Sequence, residues 1–296
     1  MKLLVARLLI RFLSLMPLRL LHALAVPLGA LAWHLPSRKH GVIAANLAIA
    51  FPDLDSTQRR QLHRAHLIEM IRLVLETGAV WHWSAERLVR HVPDVEGLDA
   101  LRQAEQEGRG LLILSAHLGN WEILTLFTSL QMPLAGLYRA PGNDRINRAI
   151  TRSRERFGGQ LIASGSPAMR GLLRQLKDGK AAGILVDQQP KQGEGVFVPF
   201  FGQPALTMTL AHRLAMKTGC AVFFAHSERL PRGRGWALGY TRADEAFYDE
   251  KPQVALGAMH AWLEQAISDR PAQYLWRYKR FGLQPEGAAA VYPARR

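Results

Sequence analysis

Short apolar runs alternate along the chain with stretches of helical periodicity. The apolar runs are bounded by glycine, proline or charged residues and cover residues 110–117, 134–140, 181–189, 220–228 and 235–242. The helical stretches lie between most of them, at 120–130, 143–157, 167–178 and 205–218. Bounded apolar runs are typical of buried strands. Their alternation with helices predicts an α/β fold, a single domain with a central, largely parallel sheet flanked by helices.

The N-terminal region is almost wholly apolar apart from scattered basic residues. Its longest stretch without Lys, Arg, Asp or Glu covers residues 20–37, slightly shorter than the roughly 20 apolar residues that a spanning helix needs. Arg7 and Arg11 are four positions apart and share a helix face, as in helices that lie among anionic headgroups. We therefore predict an uncleaved, membrane-associating helical segment at 1–37. A cleaved signal peptide and an ordinary core helix are the alternatives.

The chain is strongly basic, with 38 Lys and Arg against 24 Asp and Glu and a formal net charge of +14. This balance favours anionic partners such as nucleic acid, acidic lipid or an acidic protein. The single cysteine, Cys220, excludes an intramolecular disulfide and a multi-cysteine metal site. Residues 38–287 are predicted to form one globular domain, and residues 288–296 a flexible tail.

Four arginines in the helical stretch 143–157 are spaced three, four and four residues apart, so they share one stripe of a helix. They are Arg145, Arg148, Arg152 and Arg156. A solvated basic face is one interpretation of this stripe. The other is a docking surface for an anionic partner, because guanidinium groups bind carboxylates and phosphates well.

Residues 112–122 read LILSAHLGNWE and carry the main chemical signal. In parallel sheets, functional side chains gather where strands end, and His117 and Asp187 both occupy such ends. Positions five apart on one helix diverge by roughly 140°, so His117 and Glu122 cannot face each other on a continuous helix. We predict a turn at 119–120, after which Glu122 bonds one ring nitrogen of His117 and leaves the other as a base. By itself, the spacing is explained better by a helix cap or a structural, buried hydrogen-bonded pair than by a catalytic pair.

Further motifs follow in order along the chain. They are GNWE (119–122), Tyr138-Arg139 with Asn143, DQQP (187–190), FFG (200–202) with Thr207, and QYLWRYKRF (273–281). With them, the chain resembles the lipid A biosynthesis acyltransferases, of the lauroyl and myristoyl transferase type, from its N-terminus to Gly287. His117 and Glu122 match the His-x4-Asp/Glu motif shared with the lysophospholipid acyltransferase-like superfamily. One departure is the sequence at 222–224, Val-Phe-Phe, near which the family often carries a proline.

The resemblance implies an O-acyltransferase that moves a fatty acyl chain from acyl carrier protein to a hydroxyl of a lipid A precursor. It implies direct attack, with His117 as general base and Glu122 as the group that orients it. It implies substrate-binding roles for Asn120, Tyr138, Arg139, Asn143, Asp187, Gln188 and Thr207. The arginine stripe would then dock the carrier protein.

The same resemblance implies partners and a location. The partners are acyl carrier protein, a membrane lipid acceptor and an anionic membrane surface, and nucleic acid is not among them. No cofactor and no metal are expected, because the acyl carrier thioester is itself the co-substrate. The expected location is the bacterial inner membrane, with the active site on its cytoplasmic side.

Three other functions fit parts of the sequence. A metal-dependent hydrolase would use His117, Glu122 and Asp187 as ligands, but leaves the N-terminal segment and the FFG motif without a role. A membrane-bound scaffold would bind lipid or carrier protein through the arginine stripe, with a structural histidine. An acyltransferase on another glycolipid or glycerolipid acceptor would use the same base, although aspartate is usual at the acidic position in glycerolipid enzymes.

Overall fold

The computed structural model of the protein describes residues 2–292. The α-helices are α1 (Lys2–Leu15), α2 (Leu18–His34), α3 (Arg38–Ala50), α4 (Ser56–Leu75), α5 (Thr77–His82), α6 (Ala85–Arg90), α7 (Leu98–Gln106), α8 (Trp121–Gln131), α9 (Asp144–Glu155), α10 (Ser166–Lys177), α11 (Leu210–Thr218) and α12 (Pro252–Asp269). The strands are β1 (Asp94–Glu96), β2 (Leu111–Ser115), β3 (Leu134–Tyr138), β4 (Gln160–Ala163), β5 (Ala181–Leu185), β6 (Gly195–Phe200), β7 (Gln203–Met208), β8 (Ala221–Arg229) and β9 (Trp236–Arg242).

Among the described residues, seven strands form one sheet in the order β1-β9-β8-β2-β5-β3-β4. Every neighbouring pair is parallel except β8 and β9, which run antiparallel. Each predicted apolar run coincides with one of the strands β2, β3, β5, β8 and β9, with β8 extending one residue beyond its run. The predicted α/β fold with a largely parallel central sheet flanked by helices is therefore confirmed.

Strand β2 shows how the sheet is buried on both faces. Leu112 and Leu114 belong to the core on one side of the sheet, whereas Leu111 and Ile113 belong to the core on the other. Successive side chains of a strand point to opposite faces, and a strand covered by helices on both faces is apolar throughout. All five residues of β2 are buried. This packing holds the end of the strand in place, two residues before His117.

The helix predicted at 205–218 is wrong in its first part. Residues 203–208 form β7, which pairs antiparallel with β6 in a separate two-stranded sheet, and α11 begins only at Leu210. Phe201 and Gly202 connect β6 to β7 with φ of 49° and 72°. Two successive residues of positive φ are the backbone of a type I′ hairpin turn. The FFG motif is therefore the turn of a hairpin, and the apolar residues after it pair as a strand.

Helices α1 and α2 form the N-terminal region, and α2 packs against the domain by one narrow face. Leu21 and Ala25 of this face are fully buried. Much of the remaining surface of the two helices is apolar and exposed. The exposed apolar side chains are Val5, Leu8, Leu9, Phe12, Leu15, Leu20, Leu24, Val26, Leu28, Leu31 and Leu35. We call this set the N-terminal apolar surface.

Within residues 2–292, none of the helices is by itself long and apolar enough to cross a membrane. The pair α2 and α3 meets the criteria of length and composition together, but is bent by 100° at its break. Membrane association of 1–37 and the domain limits 38–287 and 288–296 stay predictions. Residue 1 and residues 293–296 of these segments lie outside the described part of the chain.

Candidate active site

His117 and Asp187 meet because their strands are neighbours. Strands β2 and β5 are parallel with Ser115 opposite Leu185, and each polar residue lies two positions beyond its strand. The ring nitrogen Nδ1 of His117 lies 2.8 Å from Asp187 Oδ1. The backbone N–H of His117 donates to Asp187 Oδ2 at 3.1 Å. Since an ionised carboxylate only accepts, Nδ1 carries a hydrogen and Nε2 holds the free lone pair of the neutral ring.

The His117–Asp187 pair is buried, with 16% of the histidine side chain and 3% of the aspartate side chain exposed. Burial by itself lowers the pKa of His117, but the charge and hydrogen bond of Asp187, aided by the charge of Glu122, outweigh it, so the pKa is raised. Burial raises the pKa of Asp187, but its bonds to His117 dominate and the pKa is lowered. The pair therefore holds an ionised aspartate beside an imidazole that is a stronger base than usual.

The other ring nitrogen of His117 faces a polar neighbour. Gln188 Nε2 lies 3.4 Å from His117 Nε2 and is placed to donate to it. The Trp121 ring packs edge-on against the imidazole, with 4.7 Å between ring centroids. Together these contacts fix the plane of the imidazole and leave Nε2 as the nitrogen able to take a substrate proton.

A tight turn joins His117 to helix α8, as the sequence predicts. Gly119 has φ of 61°, and a Cβ there would lie 1.9 Å from the carbonyl oxygen of Ser227. Only glycine fits such a position. Asn120 caps the helix by accepting a hydrogen bond from the Ile123 N–H at 3.2 Å, and α8 begins at Trp121. Residues 117–122 are therefore a strand end, a turn and a first helical turn.

The predicted hydrogen bond between His117 and Glu122 is wrong: within residues 2–292, the carboxylate of Glu122 bonds instead to Arg154. Arg154 Nε donates to Glu122 Oε2 at 2.8 Å, and its NH2 group donates to Oε1. A guanidinium group binds both oxygens of a carboxylate at once, and Asp187 already occupies Nδ1 of the imidazole. Glu122 acts on His117 through its charge. Its role as a catalytic residue stays a prediction.

A buried polar network anchors the turn between His117 and α8. Asn120 Nδ2 donates to Glu76 Oε2 at 2.8 Å. Glu76 is fully buried and also accepts from Arg229 NH2 at 2.7 Å and from His22 Nε2 at 2.7 Å. Burial would raise the pKa of Glu76, but the charge of Arg229 and these bonds lower it to about 2. The active-site turn is therefore tied to α2, to the end of α4 and to the end of β8.

The remaining predicted substrate-binding residues lie at different distances from the pair. Tyr138 ends β3 and is buried beside Arg154, whose guanidinium lies 5.6 Å from its ring centre. Arg139 follows it and is exposed. Asn143 caps α9 by accepting from the N–H groups of Arg145 and Ile146. Their contacts with a substrate stay predictions.

Thr207 is the predicted site residue that least fits a substrate contact. Its side chain is fully buried on β7, and its hydroxyl accepts from Arg280 NH2 at 2.7 Å. It also contacts His260 Nε2 at 3.2 Å. These bonds tie the hairpin to α12 and to the C-terminal motif, so Thr207 has a structural role in this arrangement.

The predicted arginine stripe is present in part. Arg145, Arg148 and Arg152 are exposed on α9. Arg156 lies just past the helix, where its NH1 group donates to the Trp83 carbonyl and burial lowers its pKa to about 10. The exposed basic surface therefore consists of three arginines, because the fourth turns inward. Their docking role stays a prediction.

Several cavities surround Trp121. The Gly136 cavity, of about 80 Å³, lies between the sheet and α8, with Glu122 and Arg154 at its rim. The Ile150 cleft, of about 230 Å³, lies between α4 and α9 and is lined by Leu73, Val74, Trp121, Glu122, Ile150 and Arg154. The Lys39 cleft, of about 510 Å³, is lined by Lys39, Met70, Leu73, Val74, Trp121, Leu275, Arg277, Tyr278 and Lys279. In the described part of the chain, no group of three or more His, Cys, Asp and Glu side chains is arranged to hold a metal ion.

Two residues of the site were not identified from the sequence. Arg154 lies off the arginine stripe, on the face of α9 that turns towards Glu122. Glu76 is the C-cap residue of α4, a helix of mixed polar and apolar residues. A charge on an otherwise apolar helix face is a signal for a buried ion pair. Arg154, which shares a face of α9 with Ile146 and Ile150, carries that signal, whereas the residues around Glu76 do not.

The chain is similar in sequence to known bacterial acyltransferases. The family model described as bacterial lipid A biosynthesis acyltransferase matches residues 3–282. The chain is 28% identical over 278 residues to the lipid A biosynthesis palmitoleoyltransferase of Escherichia coli, covering 94% of this chain and 90% of that protein. It is 26% identical to the lipid A biosynthesis lauroyltransferase of that organism, again covering 94% of this chain and 90% of that protein. A phosphatidylinositol mannoside acyltransferase of Mycolicibacterium smegmatis is 25% identical over 210 residues, covering 69% of this chain and 65% of that protein.

Proposed function

The chain belongs to the bacterial lipid A biosynthesis acyltransferase family, and we propose that it transfers a fatty acyl chain from acyl carrier protein to a hydroxyl of a lipid A precursor. The observation that supports this most is the buried His117–Asp187 pair, which leaves Nε2 of the imidazole unprotonated at the end of a parallel strand. A lipid hydroxyl is a poor nucleophile until a base accepts its proton, an effect worth roughly 10²- to 10⁴-fold.

In the proposed reaction the acceptor hydroxyl oxygen attacks the thioester carbonyl while His117 Nε2 takes the hydroxyl proton. The tetrahedral intermediate then breaks the carbon–sulfur bond, forming the ester and a thiolate. A thiol has a pKa of about 8.5 and leaves without a strong acid; the imidazolium can return its proton to the sulfur. Helix α8 begins four residues after His117, so its N-terminal amides lie on the side where the oxyanion develops.

Asp187 and Glu122 have different roles in this proposal. Asp187 holds the Nδ1–H tautomer and stabilises the imidazolium that forms. Glu122 adds a second negative charge near the ring and is held in place by Arg154. No protein nucleophile is proposed, because the single cysteine, Cys220, is buried beneath the sheet core and has a raised pKa.

The donor side is proposed to be the α9 side of the site. Helix α9 carries the exposed Arg145, Arg148 and Arg152, and its Ile150 and Arg154 line the Ile150 cleft. Acyl carrier protein is acidic, so it would dock on these arginines and deliver its thioester to the cleft. The acyl chain would then enter the Gly136 cavity, which shares Glu122 and Arg154 with the cleft. No further cofactor is proposed, because the thioester is already activated.

The N-terminal apolar surface supports a proposal for location. Isolated exposed apolar residues are ordinary, but eleven of them within residues 5–35 indicate an interaction surface. We assign it to the cytoplasmic face of the bacterial inner membrane, where a basic chain meets anionic lipid and the carrier protein is available.

The test is to incubate the purified full chain with a mixture of acyl carrier protein thioesters and a lipid A precursor. Product mass spectrometry should show one hydrogen of the acceptor replaced by one acyl group, with release of the free thiol of the carrier protein. A parallel reaction offers phosphatidylinositol mannoside, the acceptor named for one relative, and a lysophospholipid. Transfer to one of these and not to the lipid A precursor would replace the acceptor in the proposal, and no transfer to any would refute it.

A further inference from the structure

The Lys39 cleft adjoins the Ile150 cleft and shares Leu73, Val74 and Trp121 with it. Trp121, whose ring packs on His117, lines both this cleft and the Ile150 cleft. Leu275, another lining residue, donates its N–H to the His117 carbonyl at 3.0 Å. Trp121 therefore contacts the catalytic imidazole and lines both clefts, which act as two entrances to the histidine in the proposed reaction. Because the donor is proposed to use the α9 entrance, the Lys39 entrance remains for the second substrate.

Three cations line the Lys39 cleft: Lys39, Arg277 and Lys279, all exposed. Within residues 2–292, none of them forms a salt bridge with a carboxylate. All of the ionisable residues that line the cleft are basic apart from the phenol of Tyr278. Such a cleft attracts an anion, and its remaining capacity for charge-assisted hydrogen bonds suits phosphate oxygens.

The opposite wall of the cleft is apolar. It consists of Met70, Leu73 and Val74 of α4, and 61% of the Val74 side chain is exposed. A cation cluster that faces an aliphatic wall matches an amphiphile, with an anionic headgroup and hydrocarbon chains, better than a small polar anion. The occupant is therefore a phosphorylated lipid.

A path leads from the Lys39 cleft to the N-terminal apolar surface. A further cleft of about 250 Å³ shares Lys39, Met70 and Arg277 with it and is also lined by Ala32 and Leu35. Leu35, at the end of α2, is 55% exposed and belongs to the N-terminal apolar surface. A lipid can thus move from the surface assigned to the membrane to His117 with its headgroup on basic residues throughout.

From these observations we propose that Lys39, Arg277 and Lys279 bind a phosphate group of the acyl acceptor, with the α4 wall holding its hydrocarbon chains. This assignment rests on the proposed function and adds the acceptor subsite to it. Arg139, one of the predicted substrate-binding residues, directly follows β3 and does not line the Lys39 cleft.

The experiment compares the wild-type chain with the variant Lys39→Met/Arg277→Met/Lys279→Met. Acceptors are a lipid A precursor with its phosphates and the same lipid after phosphatase treatment. For the phosphorylated acceptor, the variant should raise KM by about tenfold or more and change kcat by less than about twofold. With the dephosphorylated acceptor, the two proteins should have similar KM values. The matched control, Arg213→Met/Lys217→Met, removes two exposed cations of α11 and should behave as wild type.

Two further readouts separate this proposal from the proposed function. Hydrolysis of the carrier thioester in the absence of acceptor should be unchanged in the variant, because the donor entrance is intact. Binding of the two acceptors in detergent micelles, measured without donor, should show the same loss and requires no turnover. Competition by phosphatidylglycerol micelles equal to that of the acceptor would mean a general lipid site and overturn the assignment.

Unchanged KM in the variant, or an equal rise for both acceptors, would also overturn the phosphate assignment. Failure of the proposed function has a different signature, since the wild-type chain would then transfer no acyl group to either acceptor. In that case the micelle binding experiment still decides whether the three cations bind the lipid phosphate.

Discussion

Replacing Asp187 with Asn removes the negative charge beside His117 and keeps the shape of the side chain. Asp187 accepts two hydrogen bonds from His117, one from Nδ1 at 2.8 Å and one from the backbone N–H at 3.1 Å. Two unit charges about 4 Å apart interact by roughly 4 kcal/mol at an effective dielectric constant of about 20. Burial of the pair offsets part of this attraction, and the remainder raises the pKa of His117.

The direction of the change in the pH dependence follows from which protonation state of His117 is active. A general base must be neutral, so activity rises as pH increases through the pKa of His117, which Asp187 and Glu122 raise above its usual 6.5. In Asp187→Asn the acidic limb of kcat/KM should move to lower pH, because the charge and hydrogen bond of Asp187 that raise the pKa of His117 are lost. The plateau should fall by about 10²-fold or more, because the imidazole is less basic and less firmly oriented.

The assay is the pH dependence of acyl transfer by the wild type, Asp187→Asn and the matched variant Glu122→Gln. The second variant removes the same charge from a carboxylate that has no hydrogen bond to the ring, so it should shift the limb in the same direction by a smaller amount. Thermal unfolding of each variant controls for folding. A larger shift in Glu122→Gln than in Asp187→Asn, or none in the latter, would refute the assignment of Asp187.

Three further predictions concern the surroundings of the pair. Arg154→Met removes a positive charge that lowers the pKa of His117, so the acidic limb should move up while the rate falls; a downward move would contradict this. Gly136→Val narrows the Gly136 cavity, and a Cβ at this position would lie at an ordinary contact distance of 3.7 Å from the Leu161 side chain. In a mixture of competing carrier thioesters, the variant should therefore transfer shorter acyl chains than the wild type. An unchanged distribution of product chain lengths would contradict the donor assignment. Glu76→Gln removes one of the two carboxylates that pair with the buried Arg229, the other being Glu69, and should lower the free energy of unfolding by about 1 to 3 kcal/mol in denaturant titrations. Since the pKa of Glu76 is lowered to about 2 from 4.5, its stabilisation is present above pH 4.5 and is lost on acidification towards pH 2, so the variant should be less sensitive to acid over that window than the wild type.

The sheet and the active-site turn could be predicted from local patterns. Bounded apolar runs locate β2 and β5, and a spacing of five residues requires a break between His117 and Glu122. Which strands are neighbours is not a local property, however. Only the pairing of Ser115 with Leu185 shows that Asp187 lies against His117. The sequence therefore placed His117 and Asp187 at strand ends, but assigned the hydrogen bond of His117 to the carboxylate nearest along the chain.

The errors elsewhere have equally specific causes. The hairpin of β6 and β7 depends on positive φ at Phe201, a conformation that a phenylalanine rarely adopts, so the FFG motif gives a weak turn signal. The partner of Glu122 depends on which face of α9 turns towards the sheet. Helix α9 carries several arginines that could pair with Glu122. The exposed arginines of the predicted stripe face solvent, and the partner is Arg154, which lies off that stripe.

The most direct test of the account is the single-turnover rate of acyl transfer in His117→Ala and His117→Gln, followed by mass spectrometry of the lipid product. Removal of the base should lower the rate by about 10²- to 10⁴-fold, while both variants still bind the lipid A precursor in micelles. Transfer by either variant at close to the wild-type rate would show that His117 is not the base.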